Sequence, residues 1–177
     1  VWPHLLARFP EIAQITAIDI SPAMHAEAVA RLHGPRARRI THLCANMLET
    51  DLPDTSADFA ISTFGLKTFD AAQHRIFATQ LHRILKPGAP FSLIEATDPL
   101  GWRLRPLYRL YLDRVLPLVE RMFLRGAQDF MMLGAYTKNF GTGDSVTRAL
   151  RIAGLSVTET RLTGGSALLL TGHRPRD

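Results

Sequence analysis

The sequence predicts an α/β fold: a mostly parallel sheet covered by helices on both faces and finished by an antiparallel hairpin. Short β-branched runs alternate with helical patterns along the chain, and crossover connections of that kind impose parallel pairing between successive strands. Gly164-Gly165 separates two late strand-like runs, and such a pair supplies the positive φ angles that a tight two-residue hairpin demands. The length of 177 residues, 46% of them hydrophobic, suits one domain built around one core.

Leu5, Leu6 and Phe9 have helical spacing ahead of Pro10, so the first residues read as the end of a helix. Ile15 to Ile20 is a β-branched run closed by Asp19, and Ser21-Pro22 then offers an N-cap and a proline at the first helical position. The helix from Pro22 to Leu32 stops near His33-Gly34-Pro35, and Arg39 to Cys44 is the next strand, followed by turn-rich residues up to Ser56. Ala57 to Thr63 reads as a strand, Ala71 to Leu85 as a helix closed by Lys86-Pro87-Gly88, and Phe91 to Ala96 as a buried strand.

From Trp102 to Leu133 a long helical pattern interrupts the alternation. Leu104, Leu107, Tyr108, Tyr111, Val115, Leu118, Val119 and Met122 recur at steps of three and four, while Arg103, Arg109, Asp113 and Arg121 fall elsewhere, the pattern of an amphipathic helix. Pro117 lacks an N–H and is expected to kink or split it. A short helix, Val146 to Ile152, precedes the strands Val157 to Leu162 and Ala167 to Thr171.

Composition narrows the function classes. The balance of 21 Lys and Arg against 16 Asp and Glu gives +5, and the basic residues are mostly arginines dispersed among apolar positions, so no nucleic-acid partner is expected. The single cysteine, Cys44, excludes an internal disulfide, and with only His42 beside it as a metal partner no zinc module is available. The absence of a His-Glu-x-x-His pattern removes the usual signature of metal hydrolysis. Arginines interrupt every apolar stretch before the ~20 residues needed to cross a bilayer. A cytoplasmic location is expected, with peripheral membrane contact as an option; nothing sets an oligomeric state.

Several segments carry a resemblance. Ala17-Ile18-Asp19-Ile20-Ser21-Pro22-Ala23-Met24, Asn46 through Leu52-Pro53, Phe64-Gly65-Leu66-Lys67, Leu81-His82-Arg83-Ile84-Leu85-Lys86-Pro87-Gly88 and Leu162-Thr163-Gly164-Gly165 resemble, in order and over nearly the whole chain, the ubiquinone/menaquinone biosynthesis C-methyltransferases. The resemblance implies a Rossmann-like methyltransferase fold, S-adenosylmethionine as cofactor, and a small, lipophilic, aromatic or quinol-like acceptor.

Asp19 ends a strand where a carboxylate can accept from both ribose hydroxyls of an adenosine; the alternative is an acid favoured simply by the helix that follows. Ile20 and Met24 would flank the adenine, and Met24 would equally suit plain core. By the family pattern Asn46 reads the adenine edge with help from the backbone of Met47, against the alternative of a turn-forming asparagine. Thr63 matches a small hydroxyl residue near the cofactor and is also an ordinary strand residue.

A Rossmann-like site also needs a glycine-rich turn after its first strand, with the ribose acid about 20 residues beyond it. Counting back from Asp19 places that turn before Val1, so the first strand and glycine loop are expected to be missing and the chain alone to bind cofactor poorly. Gly141-Thr142-Gly143-Asp144 is a poor substitute, because Tyr136 to Phe140 makes a poor buried strand; helix capping explains it better.

Methyl transfer from a sulfonium is an in-line displacement in which the protein mainly aligns and desolvates. A phenolic acceptor must also lose a proton, for which Glu95 and Asp98 are candidate bases and Lys67 a candidate phenolate stabiliser, each with an ordinary structural role as the alternative. The resemblance assigns the insertion at 102–133 to covering the substrate, with Tyr108 and Tyr111 facing it and Tyr136 as a wall; ordinary core packing is the alternative. Two rival readings remain, a nicotinamide-dependent reductase, opposed by the lack of a Tyr-x-x-x-Lys pair, and a non-catalytic fragment or degenerate paralogue acting as a binding partner.

Overall fold

The structure is a computed structural model and describes residues 2–31, 33–116, 118 and 129–176. Val1–Asp51 and Leu52–Asp177 form two compact units. In the first, α1 (Trp2–Arg8) precedes β1 (Ile15–Asp19), α2 (Pro22–Ala30) and β2 (Ile40–Cys44). β1 and β2 pair in parallel, Ile15 opposite Ile40 through Asp19 opposite Cys44. Their inward residues Ile15, Ala17 and Ile40 pack with Leu6 of α1, and Trp2, Leu5 and Ile12 close over that cluster. α2 begins as its sequence dictates: Ser21 Oγ accepts from Met24 N at 3.3 Å, with Pro22 in the first turn.

The second unit contains β3 (Ala60–Thr63), α3 (Ala71–Ile84), β4 (Pro90–Ala96), α4 (Arg105–Leu110), α5 (Asp129–Phe140), α6 (Asp144–Ile152), β5 (Ser156–Leu162) and β6 (Ala167–His173). Its four strands lie in the order β3-β4-β6-β5. Only the β3–β4 pairing is parallel; β6 runs antiparallel to both β4 and β5. The sheet is therefore mixed rather than mostly parallel. The cause is β6, which turns back through the hairpin and inserts between β4 and β5, so that one reversed strand creates two antiparallel ladders.

The hairpin itself forms, with a longer connection than two residues. Leu162 opposes Ala167, leaving Thr163 to Ser166 to make the turn. Thr163, Gly164 and Gly165 all have positive φ, at 48°, 64° and 91°; the bend thus begins one residue before the glycine pair. α4 passes into a wider π turn at Tyr111–Val115, and α5 runs on to Phe140, so Tyr136 to Phe140 is helix and not strand. The expected kink at Pro117, and Val119, Arg121 and Met122, lie outside the described residues, as does the expected helix end at Leu32.

α3 starts at a reciprocal cap, in which Asp70 accepts from Ala72 N and Gln73 N while Gln73 accepts from Asp70 N. Its buried stripe is His74, Phe77, Ala78, Leu81 and Ile84, the i, i+3, i+4, i+7 spacing of a core-facing helix, and it packs against α6. In β4 the strand period of two buries Phe91, Leu93 and Glu95 on one phase. Opposite them, Leu170 and Leu168 of β6 are buried.

Gly172 sits where this sheet is most crowded: a Cβ there would lie 1.8 Å from Ser156 O and 2.8 Å from the Phe91 ring. Gly172→Ala is expected to destabilise the protein by about 1–3 kcal/mol, read as a lower urea midpoint. An unchanged midpoint would show that β5 and β6 are not packed as described.

Candidate functional site

The first unit gathers five of the predicted cofactor residues at the carboxyl end of its two strands. Asp19 is the last residue of β1 and exposed, and its Oδ1 accepts from Ser21 N at 2.8 Å. The hydrogen bond from Ala45 N to Asp19 O, 3.1 Å, ties the β2 exit to the β1 exit, which sets Asn46 and Met47 just beyond the same edge. Asn46 Oδ1 accepts from Leu48 N at 3.0 Å and caps the short turn Met47–Glu49, so its side-chain NH2 is the group it can offer a ligand. Ile20 and Met24 are exposed, at 68% and 46%; they supply apolar surface beside the carboxylate rather than core. A carboxylate, an amide and two uncovered apolar side chains on one strand edge match what an adenosine presents: hydroxyls, a polar edge and a flat apolar face.

The second unit gathers the others at the carboxyl ends of β3 and β4. Thr63 ends β3 and is exposed. Phe64 follows with φ of +60°, a conformation that is rare for a bulky residue and is held only where the surroundings over-determine it. It is 54% exposed, and its carbonyl accepts from the Lys67 ammonium.

Glu95 supplies the over-determination. Its Oε2 accepts from Leu66 N at 2.7 Å and Lys67 N at 3.0 Å, and its Oε1 from Ala96 N at 2.9 Å and Lys67 Nζ at 3.2 Å. The Lys67 and Glu95 side chains are 9% and 2% exposed. Lys67 also stands over the Phe64 ring, 5.6 Å from its centroid. Neither group points freely outward: the carboxylate and ammonium are tied to each other and to the turn Leu66–Thr68.

Asp98 lies beyond β4, where both its oxygens are gripped by Arg105, Oδ1 to Nε at 2.7 Å and Oδ2 to Nη2 at 2.8 Å. The Arg105 hydrogen bonds hold its carboxyl below the ordinary range, against the opposing effect of burial. Tyr108 donates to Thr97 O at 3.3 Å, and burial, reinforced by the Asp98 charge, raises its phenol. Tyr111 is exposed and Tyr136 half-buried on α5.

His74, which the sequence analysis does not single out, joins this network. Its Nε2 lies 3.1 Å from Leu66 O and its Nδ1 3.1 Å from Ser145 Oγ. The carbonyl can only accept, so Nε2 carries the proton and Nδ1 accepts from the serine. Burial lowers its pKa, more than the Leu66 carbonyl and the Asp70 and Glu95 charges raise it. The signal was present: a histidine opening an apolar stripe that continues with Phe77 and Leu81. Phe64 was legible only as part of a motif, because no local pattern announces a positive φ at phenylalanine. Among the described residues no cluster of three or more His, Cys, Asp or Glu is placed to hold a metal.

The mixed sheet closed by a reversed hairpin is that of the Rossmann-like, S-adenosylmethionine-dependent methyltransferases. The chain belongs to the ubiE/COQ5 methyltransferase family, whose sequence model matches residues 4–174. Its donor is S-adenosylmethionine. A demethylmenaquinone methyltransferase from Staphylococcus aureus (strain JH9) is 24% identical over 165 residues, covering 93% of this chain and 67% of that protein. The chain thus spans about two thirds of the length of such relatives. Among solved structures, a SAM-dependent methyltransferase from Aquifex aeolicus superposes with a TM-score of 0.63 at 18% identity, over 97% of this chain and 74% of that one. A geranyl diphosphate C-methyltransferase from Streptomyces coelicolor A3(2), in complex with Mg2+, geranyl diphosphate and S-adenosyl-L-homocysteine, also gives 0.63, at 15% identity over 97% and 67%. These likenesses concern the fold.

Glu95→Gln removes the charge and replaces one acceptor oxygen by an NH2 group, which cannot accept from the two donors converging there. Removing one partner of a buried pair costs about 3 kcal/mol or more, and a urea titration is expected to show it; a loss within error would mean that the Glu95 network does not hold the turn.

Acid is expected to weaken the fold in two steps. His74 has its pKa depressed by burial, so its contribution is complete above the unfolded value of about 6.5 and declines as pH falls through the lower folded value. Asp98 is likewise depressed, and its contribution declines only below the ordinary carboxyl value of about 3.9. Urea midpoints should therefore fall between neutral pH and pH ~5 in the parent and fall less in His74→Gln; equal slopes would remove His74 from the acid response.

Proposed function

We propose that this protein transfers a methyl group from S-adenosylmethionine to a carbon of a small, lipophilic, aromatic or quinol-like acceptor. Its family membership supports the reaction class, and relatives named as demethylmenaquinone methyltransferases support the acceptor class. The observation that carries the reading within the molecule is Asp19, exposed at the end of β1 with its Oδ1 anchored by Ser21 N and followed by the exposed Ile20.

The cofactor supplies an electrophilic methyl on a sulfonium sulfur. The chain's own residues do the rest by binding and positioning. Asp19 accepts from the ribose hydroxyls, Ile20 and Met24 cover the adenine faces, and the Asn46 amide with Met47 N reads its edge. Glu95 and Asp98 act as holders of the site walls: their oxygens are already committed to the Leu66–Lys67 turn and to Arg105. Lys67 is committed in the same way, its ammonium paired with Glu95 and donating to the Phe64 carbonyl. Tyr108 and Tyr136 contribute aromatic surface for the acceptor, while Tyr111 lies on the exposed face of its segment.

Asp19→Ala is expected to weaken S-adenosylhomocysteine binding by roughly 10–100-fold, the worth of one or two hydrogen bonds to a charged group, in isothermal titration calorimetry. Methyl transfer from labelled donor to a demethylated naphthoquinol tests the acceptor separately. Undiminished affinity in the variant would remove Asp19 from the site, and turnover confined to water-soluble catechols would overturn the lipophilic acceptor.

A further inference from the structure

The stretch from Leu104 to Leu118 is inside out for a helix in water. Leu104, Leu107, Leu110, Tyr111, Val115 and Leu118 are exposed, from 41% at Val115 to 62% at Leu107. Steps of three, three, one, four and three residues keep these six on one side of a helical path. The opposite side holds the polar groups: Arg105 on buried Asp98, Arg109 on Asp113 at 3.0 Å, and the Tyr108 hydroxyl on Thr97 O, with Leu112 buried among them. Leu100, 62% exposed just ahead of the helix, extends the apolar side. Six large apolar side chains in one stripe exceed what scattered surface hydrophobics explain; such a patch marks an interaction surface.

We propose that this stripe seats the protein on an anionic lipid bilayer, with the leucines in the acyl–headgroup boundary and arginines against the headgroups. Charge complementarity selects this occupant. Arg103, just ahead of the segment, and Arg114, within it, are exposed, and the whole chain carries +5 with an isoelectric point near 10.0. A second copy would bring the same positive charge to the same place, whereas an anionic surface attracts it, and an apolar face edged by arginine has the chemistry of an in-plane interfacial helix. Asp113, the acid within the segment, is already paired with Arg109. The proposal stands independently of the acceptor, since adsorption is measured without turnover.

The test is sedimentation of the whole protein with sucrose-loaded vesicles of phosphatidylcholine, with and without phosphatidylglycerol. Binding is expected to the phosphatidylglycerol vesicles and to weaken as salt rises. Leu104→Ser with Leu107→Ser should reduce partitioning by roughly tenfold or more through lost apolar burial. Arg103→Gln with Arg114→Gln should reduce it by roughly tenfold and erase the preference for the anionic lipid. All four positions are exposed, and circular dichroism melts confirm that the variants fold. Equal, negligible binding to both vesicle types would overturn the proposal. So would sedimentation velocity showing a dimer that the leucine variant splits while vesicle binding stays at background.

Discussion

The candidate site of the second unit depends on one buried carboxylate. Placing a charge where Glu95 lies, on the core phase of β4, carries a desolvation penalty of several kcal/mol. It is offset because three backbone amides and the Lys67 ammonium converge on its two oxygens. Two of those amides belong to the Leu66–Thr68 turn, so the charge can be satisfied only when the turn is formed. The turn in turn fixes Phe64 in a left-handed conformation and aims the Leu66 carbonyl at His74. The conformation at the β3 exit is therefore a consequence of an acid on β4. The coupling is local to the parallel β3–β4 pair, whose exits lie at the same end.

How much of this was legible differs from residue to residue. Asp19, Ser21 and Pro22 were readable because strand end, cap and first helical turn each have a local chemical requirement, and the structure meets them in that order. Glu95 has two readings in the sequence. A carboxylate after a strand suggests a base, yet counting by two from Phe91 through Leu93 puts it on the buried phase, where an acid must first satisfy itself. His74 shows the same lesson on a helix, since its place in the stripe with Phe77 and Leu81 marks it as a buried group that needs partners. Those partners, Leu66 and Ser145, come from elements 8 and 71 residues away, and no local pattern could name them.

Sheet order was the least accessible feature. Alternating strands and helices predict parallel neighbours, and β1–β2 and β3–β4 obey. The insertion of β6 between β4 and β5 converts the remaining ladders to antiparallel, and insertion is a long-range choice. Periodicity describes which face of a strand is buried and says nothing of which strand lies beside it. The Gly164-Gly165 pair correctly signalled the reversal. It understated the loop because Thr163 shares the positive φ that glycine was expected to carry alone.

The Leu104–Leu118 segment separates pattern from orientation most clearly. Its spacing is amphipathic on any reading, but a stripe has two ways to turn. Asp98 settles the direction: buried just beyond β4, it needs a cation, and Arg105 reaches it only with the arginine side of the helix facing in. The leucines must then face out. Burying a large apolar side chain contributes about 1.5–3 kcal/mol, and six of them left half-covered forgo more than one ion pair with a partly exposed arginine returns in water. An orientation that inverts the usual arrangement is consistent with an apolar medium on the far side. The acid beyond β4 and the greasy face above it are two ends of one constraint: the charge that orders the site wall also turns the leucines toward whatever covers them.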